Sequence, residues 1–147
     1  MTHEDAGKYS AKHRSDAIIN EQVARMVREK SPGGELACAM GEKISKELGV
    51  KISEVGITAD LLEIKIKKCQ LGLFGYGKKP NHGRTIQAAH SVSDEMKNAI
   101  EEAAENGKVT CAALWMIADQ LGTKRKEVSA ACETQKIKIR KCQLGAF

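Results

Sequence analysis

Apolar residues fall at helical spacing in three short stretches of the first half of the chain, and breakers separate them. After Asn20, a residue type that caps helix starts, Val23, Met26 and Val27 recur at the i, i+3, i+4 spacing of one helix face until about Lys30. Ser31-Pro32-Gly33-Gly34 ends that pattern, and Glu35-Leu36 reads as a short extended entry. Met40, Ile44 and Leu48 mark a second helix, closed by Gly49 where a left-handed residue is wanted. Val55, Ala59 and Leu62 line one side of a third. With so short a turn between them, the second and third helices are expected to cross steeply. Then Ile64-Lys65-Ile66-Lys67 alternates as a strand does, isoleucine inward and cation outward. Continued alternation would point Lys68 inward, so the strand is expected to end or bulge there. Cys-Gln-Leu-Gly follows as a turn, with Phe74 folding back as a hydrophobic plug.

The same pattern is then written a second time. Gly34 to Phe74 aligns without a gap on Gly107 to Phe147, with eighteen of 41 positions identical, including Cys-Ala, Leu-Gly, Glu-Val, Ile-Lys-Ile and Lys-Cys-Gln-Leu-Gly-x-Phe. Chance does not hold register that long, so one supersecondary unit occurs twice. The offset carries Asn20 onto Ser93, another capping residue, with Asp94 and Glu95 in the first turn where a helix favours acids. Met96, Ala99, Ile100 and Ala103 form that helix's apolar side, and Asn106-Gly107 ends it. Lys108-Val109 is the second extended entry. Leu114, Ile117 and Leu121 mark the next helix, closed by Gly122, and Val128 and Cys132 the last, before the strand Ile137-Lys138-Ile139-Arg140. The organisation expected is a tail over residues 1–19, repeat one over 20–74, a basic breaker-rich linker over 75–92 and repeat two over 93–147. Units of about 55 residues are near the lower limit for independent folding, so they are expected to need each other or a partner chain, a homodimer included.

Three helices, the last two joined through Leu-Gly, and then a strand resemble a winged helix-turn-helix domain. The residues that carry the resemblance are Ile44-Ser45-x-x-Leu48-Gly49-Val50-x-x-x-Glu54-Val55 and Ile117-Ala118-x-x-Leu121-Gly122-Thr123-x-x-x-Glu127-Val128. The fold class expected is therefore mainly α with short β-strands, as two tandem winged-helix-like domains of three helices plus a small sheet. A departure from the family lies at the wing, since repeat two stops at Phe147 before a second wing strand. The resemblance implies that the third helix of each unit enters the major groove of duplex DNA. On this chain the reading positions are then Lys51, Ile52, Ser53, Glu54, Gly56 and Ile57 in repeat one. In repeat two they are Lys124, Arg125, Lys126, Glu127, Ser129 and Ala130.

Charge sharpens this picture. The chain has a net charge of +5, unevenly spread. Residues 75–92 carry the three cations Lys78, Lys79 and Arg84 and no acid. Residues 93–106 hold five acids against one lysine, and residues 107–147 hold eight cations against three acids. A module turning one end toward phosphate has this polarity. Lys124, Arg125 and Lys126 stand together at a helix start, so repeat two is expected to grip DNA better than repeat one, which offers Lys51 and Ser53. Lys138, Arg140, Lys78, Lys79 and Arg84 are expected on the phosphate backbone. An 18-residue linker averages roughly 25 Å if flexible, so half-sites about 34 Å apart on DNA are within its reach.

The remaining chemistry excludes more than it adds. Aromatic residues make up 3% of the chain, which counts against base stacking on single strands. No apolar run approaches a bilayer span, and residues 1–30 lack a signal-peptide core, so a cytoplasmic protein without membrane association is expected. Cys38 and Cys69 recur as Cys111 and Cys142, but no Cys-x-x-Cys or nearby histidine supplies four zinc ligands. They are read, with Cys132, as small core residues, and no metal or cofactor is expected. No phosphate loop, nucleophile elbow or convincing carboxylate pair is present, so no enzymatic activity is expected. The function expected is a double-stranded DNA-binding protein, a transcriptional regulator. The principal alternative is a protein-interaction module that docks through Trp115 or through the face of Ile52, Gly56 and Ile57; a thiol or metal sensor is the weaker third.

Overall fold

Asn20 and Ser93 start the two repeats as their side chains allow. The Asn20 carboxamide accepts from the N–H groups of Gln22 and Val23, and the Ser93 hydroxyl from that of Met96. In the computed structural model, which describes residues 9–12, 19–77 and 81–147, each cap opens the same succession of elements. Repeat one runs α1 (Glu21–Glu29), β1 (Glu35–Ala37), α2 (Cys38–Leu48), α3 (Ile52–Leu61) and β2 (Lys65–Lys67). Repeat two runs α4 (Asp94–Ala103), β3 (Lys108–Thr110), α5 (Cys111–Leu121), α6 (Arg125–Gln135) and β4 (Lys138–Arg140). The chain is thus mainly helical, with two small sheets.

Both helix-to-helix turns depend on one backbone conformation. Gly49 and Gly122 adopt φ of 65° and 66°, a left-handed geometry that glycine reaches without a Cβ penalty. The following N–H groups, of Val50 and Thr123, then donate back to the carbonyls of Ser45 and Ala118. Inside each unit the predicted apolar stripes form the core. Val23, Val27, Leu36, Ile44, Val55 and Ala59 are buried in the first, and Ile100, Val109, Leu114, Ile117, Val128 and Cys132 in the second.

The sheets are parallel. Glu35, Leu36 and Ala37 pair with Lys65, Ile66 and Lys67, and Lys108, Val109 and Thr110 with Lys138, Ile139 and Arg140. Parallel strands need a crossover connection, and the α2–α3 and α5–α6 pairs supply it. Lys68 and Lys141 take positive φ, 51° and 56°, and remain exposed, so each strand ends where an inward lysine would begin. Among the described residues no strand follows β2 or β4 to build the hairpin of a wing.

The contact boundaries do not follow the repeat boundaries. One compact unit comprises the described residues up to Cys69 together with Gln143–Phe147, and the other comprises Gln70–Cys142. Each unit therefore joins the helices and strands of one repeat to the Gln-Leu-Gly-x-Phe tail of the other. Leucine, not phenylalanine, is the plug in these tails. Leu71 and Leu144 are 0% and 1% exposed, whereas Phe74 is half-buried and Phe147 is 37% exposed. In unit 1 the Leu144 side chain lies against Gly41 of α2, and its carbonyl lies against Gly56 of α3.

The stretch read as a flexible linker is tied down within unit 2. Gly75 and Tyr76 donate to the carbonyls of His82 and Gly83, and Thr85 donates to Gly72. Further on, Ala89 donates to the Ala130 carbonyl while accepting from the Thr134 hydroxyl at 2.8 Å. A random-coil estimate of its span does not describe a segment held this way.

Candidate nucleic-acid interface

Three helices begin without a side-chain cap, α2 on Ala37 and the two expected to read DNA on lysines. Asn20, Ser93 and Thr110 cap α1, α4 and α5 with side-chain oxygens, but α3 and α6 start on Lys51 and Lys124, which have none to offer. These cap residues therefore offer no side-chain acceptor to the first-turn amides, of which Glu54 and Glu127 donate to the carbonyls of Lys51 and Lys124. A helix start carries partial positive charge, and a lysine there adds a full charge. Lys51 and Lys124 are both exposed, as are Ser53 and Lys126.

The three consecutive cations of repeat two are not equivalent. Lys124 is open to solvent. Arg125 is half-buried: its guanidinium lies 3.8 Å from the centre of the Trp115 ring and donates to the Gln70 side-chain oxygen at 2.9 Å. Lys126 places its ammonium 4.2 Å from the centre of the Tyr76 ring. Both are cation–π contacts, and stacking of this kind favours arginine for its flat, weakly hydrated head. Arg125 is thus a structural clamp, with Asp119 a further carboxylate 4.0 Å away. The same geometry removes Trp115 as a docking residue, since it is only 7% exposed with Arg125 across its ring.

Two other expected reading positions are closed. Ser129 is 0% exposed, so it has no surface with which to reach a base. Gly56 faces the Leu144 carbonyl; a Cβ built on it would lie 2.1 Å from that oxygen. Of the apolar face Ile52, Gly56 and Ile57, Ile57 is 40% exposed and Ile52 half-buried. The outer side of α6 is crossed by its own connection, through Arg84 to Glu133 and Ala89 to Ala130 and Thr134.

On the strands, Lys138 and Arg140 point outward, as the alternation predicts, and Arg140 comes within 4.0 Å of Glu105. Arg84 is engaged with Glu133. Lys78 and Lys79 lie outside the described residues. Of the expected contact residues, those exposed are Lys51 and Ser53 at the α3 start in unit 1, and Lys124 and Lys126 at the α6 start with Lys138 and Arg140 on β4 in unit 2.

The cysteines belong to the cores. Cys38, Cys69, Cys111 and Cys132 are buried, Cys142 is half-buried, and none is in a disulfide. Burial, and then the neighbouring Glu133 charge, push the Cys132 thiol up to about 12. Among the described residues no group of three or more His, Cys, Asp or Glu is placed to hold a metal ion. None of their helices is long and apolar enough to cross a membrane.

The roles of Gln70, Tyr76 and Gly41 were not read from the sequence. A signal for Gly41 and Gly56 was present: repeat two has Leu114 and Ser129 at the equivalent positions, and glycine inside a helix has a packing reason more often than not. Comparison of the chain with family models, curated proteins and solved structures finds no match.

Proposed function

We propose that the chain binds double-stranded DNA through two helix-turn-helix units, without the wing hairpin, and acts as a transcriptional regulator. The observation that carries this reading is the start of α3 and α6. Each follows a left-handed glycine turn and starts on a lysine, a cap residue with no side-chain oxygen for the first amides. Such a terminus suits a phosphate oxygen. With Ser129 and Gly56 closed and α6 crossed by residues 84–89, contact falls on the DNA backbone rather than on base edges. Lys124, Lys126, Lys138 and Arg140 form the stronger grip and Lys51 the weaker.

Five cations on phosphate give a slope of log affinity on log salt of about −4.5, so affinity for random-sequence duplex falls several hundredfold between 50 and 200 mM salt. Exchanging Lys124 and Lys126 for glutamine reduces the steepness by about 1.8. An unchanged slope in that variant would remove the assignment.

A second reading has its own observation. The α2–α3 face of unit 1 already holds a turn of the chain, with Leu144 against Gly41 and Gly56, as a module for binding protein segments would. Absence of duplex binding at 50 mM salt would favour this reading over the first.

A further inference from the structure

The two units differ at one place that neither the helix starts nor the exchanged tails explain. In unit 2 a cleft of about 460 Å³ opens beside the C-terminal end of α6 and β4, lined by Leu73, Arg84, Cys132, Glu133 and residues Lys136 to Ile139. That volume is in the range of small-molecule sites. Ile137 and Ile139 are only half-buried, whereas their equivalents in unit 1, Ile64 and Ile66, are 8% and 5% exposed.

The repeat supplies its own comparison. In unit 1 a short turn, Tyr9–Lys12, packs against α3 with Tyr9 buried. The N–H groups of Tyr9 and Ser10 donate to the Glu63 carboxylate at 3.0 and 2.9 Å, and the Ser10 hydroxyl donates at 2.5 Å. These donors, the hydroxyl first, hold the Glu63 pKa below the ordinary carboxylate value. An aromatic residue and its amides therefore cover that end of α3. The repeat offset places His82 where Tyr9 stands, and His82 is exposed.

The anchor is also reversed in charge. Glu63, which accepts from the Tyr9 segment, corresponds to Lys136, a donor with the same left-handed backbone, φ 56° against 57°. Arg84 and Glu133 are paired with each other, which leaves the ammonium groups of Lys136 and Lys138 as the unbalanced charge of the lining. Leu73, Ile137, Ile139 and Cys132 make the wall apolar.

We infer that this cleft binds a small organic anion with a flat apolar body, of the aromatic carboxylate class. The apolar body lies against Leu73, Ile137 and Ile139, in the role Tyr9 has in unit 1, and the carboxylate meets Lys136 and Lys138. Because the Cys132 thiol stays protonated at neutral pH, it serves as wall, and binding is non-covalent.

The test is amide NMR of the full ¹⁵N-labelled chain titrated with 4-hydroxyphenylacetate and, separately, with tyramine, which carries the same phenol ring on a cation. The acid is expected to shift the amides of Lys136 to Ile139 saturably, with tyramine weaker by about tenfold or more. Lys136→Glu restores the residue repeat one uses at that backbone position. Combined with Lys138→Glu it is expected to weaken the acid by about tenfold or more and to invert the preference. Unchanged amide positions in α4 and α5 establish that the variant is folded. Equal responses to acid and amine, no saturable shift by about 10 mM, or unaltered acid binding in the double variant would each overturn the inference. So would binding of a peptide carrying Tyr9–Lys12 with no binding of the acid, which would assign the cleft to a second copy of the chain. No step of this test involves nucleic acid, so its outcome is separate from that of DNA binding.

Discussion

Gly56→Ala separates a helix that is merely weak from one that holds a guest. In an unencumbered helix interior this change adds about 1 kcal/mol of stability, because alanine is the better helix former. In unit 1 the new methyl would lie 2.1 Å from the Leu144 carbonyl oxygen and 2.6 Å from its carbon, with backbone rather than a flexible side chain in the way. The tail has to move by more than an ångström to restore ordinary contact, and Leu144, now 1% exposed, loses its seat on Gly41. Full burial of a leucine is worth about 1.5–3 kcal/mol. The expected net effect is a loss of about 1–2 kcal/mol, seen as a fall of roughly 5–30-fold in hydrogen-exchange protection of α2 and α3. In a chain ending at Cys142 the same substitution has no guest to displace, and its sign should reverse to a gain of about 1 kcal/mol. Protection that rises in the full-length Gly56→Ala chain would refute the docking of Leu144.

Arg125→Ala should cost about 1–2 kcal/mol through loss of the Trp115 stack and the Gln70 bond, and Arg125→Lys should not recover it; urea unfolding followed by Trp115 fluorescence measures both. Asn20→Ala and Ser93→Ala should each cost about 1 kcal/mol, read from local hydrogen exchange of α1 and α4, since each removes a side-chain oxygen that accepts from first-turn N–H groups. The thiols should alkylate in order of access, half-buried Cys142 before the other four, with Cys132 unreactive until unfolding. The sign of the Cys132 shift also sets a pH dependence. Its folded pKa is raised to about 12 from an ordinary value of 9.0, so the folded state retains a proton that the unfolded state releases. This contribution leaves stability unchanged at neutral pH and reduces it above about pH 9, by at most about 1.4 kcal/mol per pH unit. Cys132→Ala should flatten that limb in alkaline unfolding curves.

Local rules made much of the fold legible. Asn20 and Ser93 cap, Gly49 and Gly122 turn, the isoleucines of the strands alternate, and Lys68 and Lys141 end them, because each depends on a few neighbouring residues. What could not be read was long-range. Nothing in Gln-Leu-Gly-x-Phe states which repeat it packs on, since both copies carry it with the same spacing. Where phenylalanine is expected as the plug, the tail presents leucine to the core and leaves Phe147 37% exposed. At the interface, exposed Lys51, Lys124 and Lys126 were legible as charge. The capture of Arg125 by Trp115 and Gln70 was not, because a cation beside an aromatic residue ten positions away has no periodic signature.

The differences between the copies are therefore more informative about function than what they share. Common residues build the helix pair, the turn and the strand. The divergent ones decide what each unit can hold. Gly41 and Gly56 open a seat for Leu144 that Leu114 and Ser129 do not reproduce in repeat two. Ile52 gives way to Arg125, which converts a half-buried apolar start of α3 into the stacked, hydrogen-bonded start of α6. Glu63 gives way to Lys136, which turns a site that accepts N–H donors into one that seeks an anion. Among the described residues, unit 1 is closed on its own chain at that position, whereas unit 2 presents an exposed lysine there.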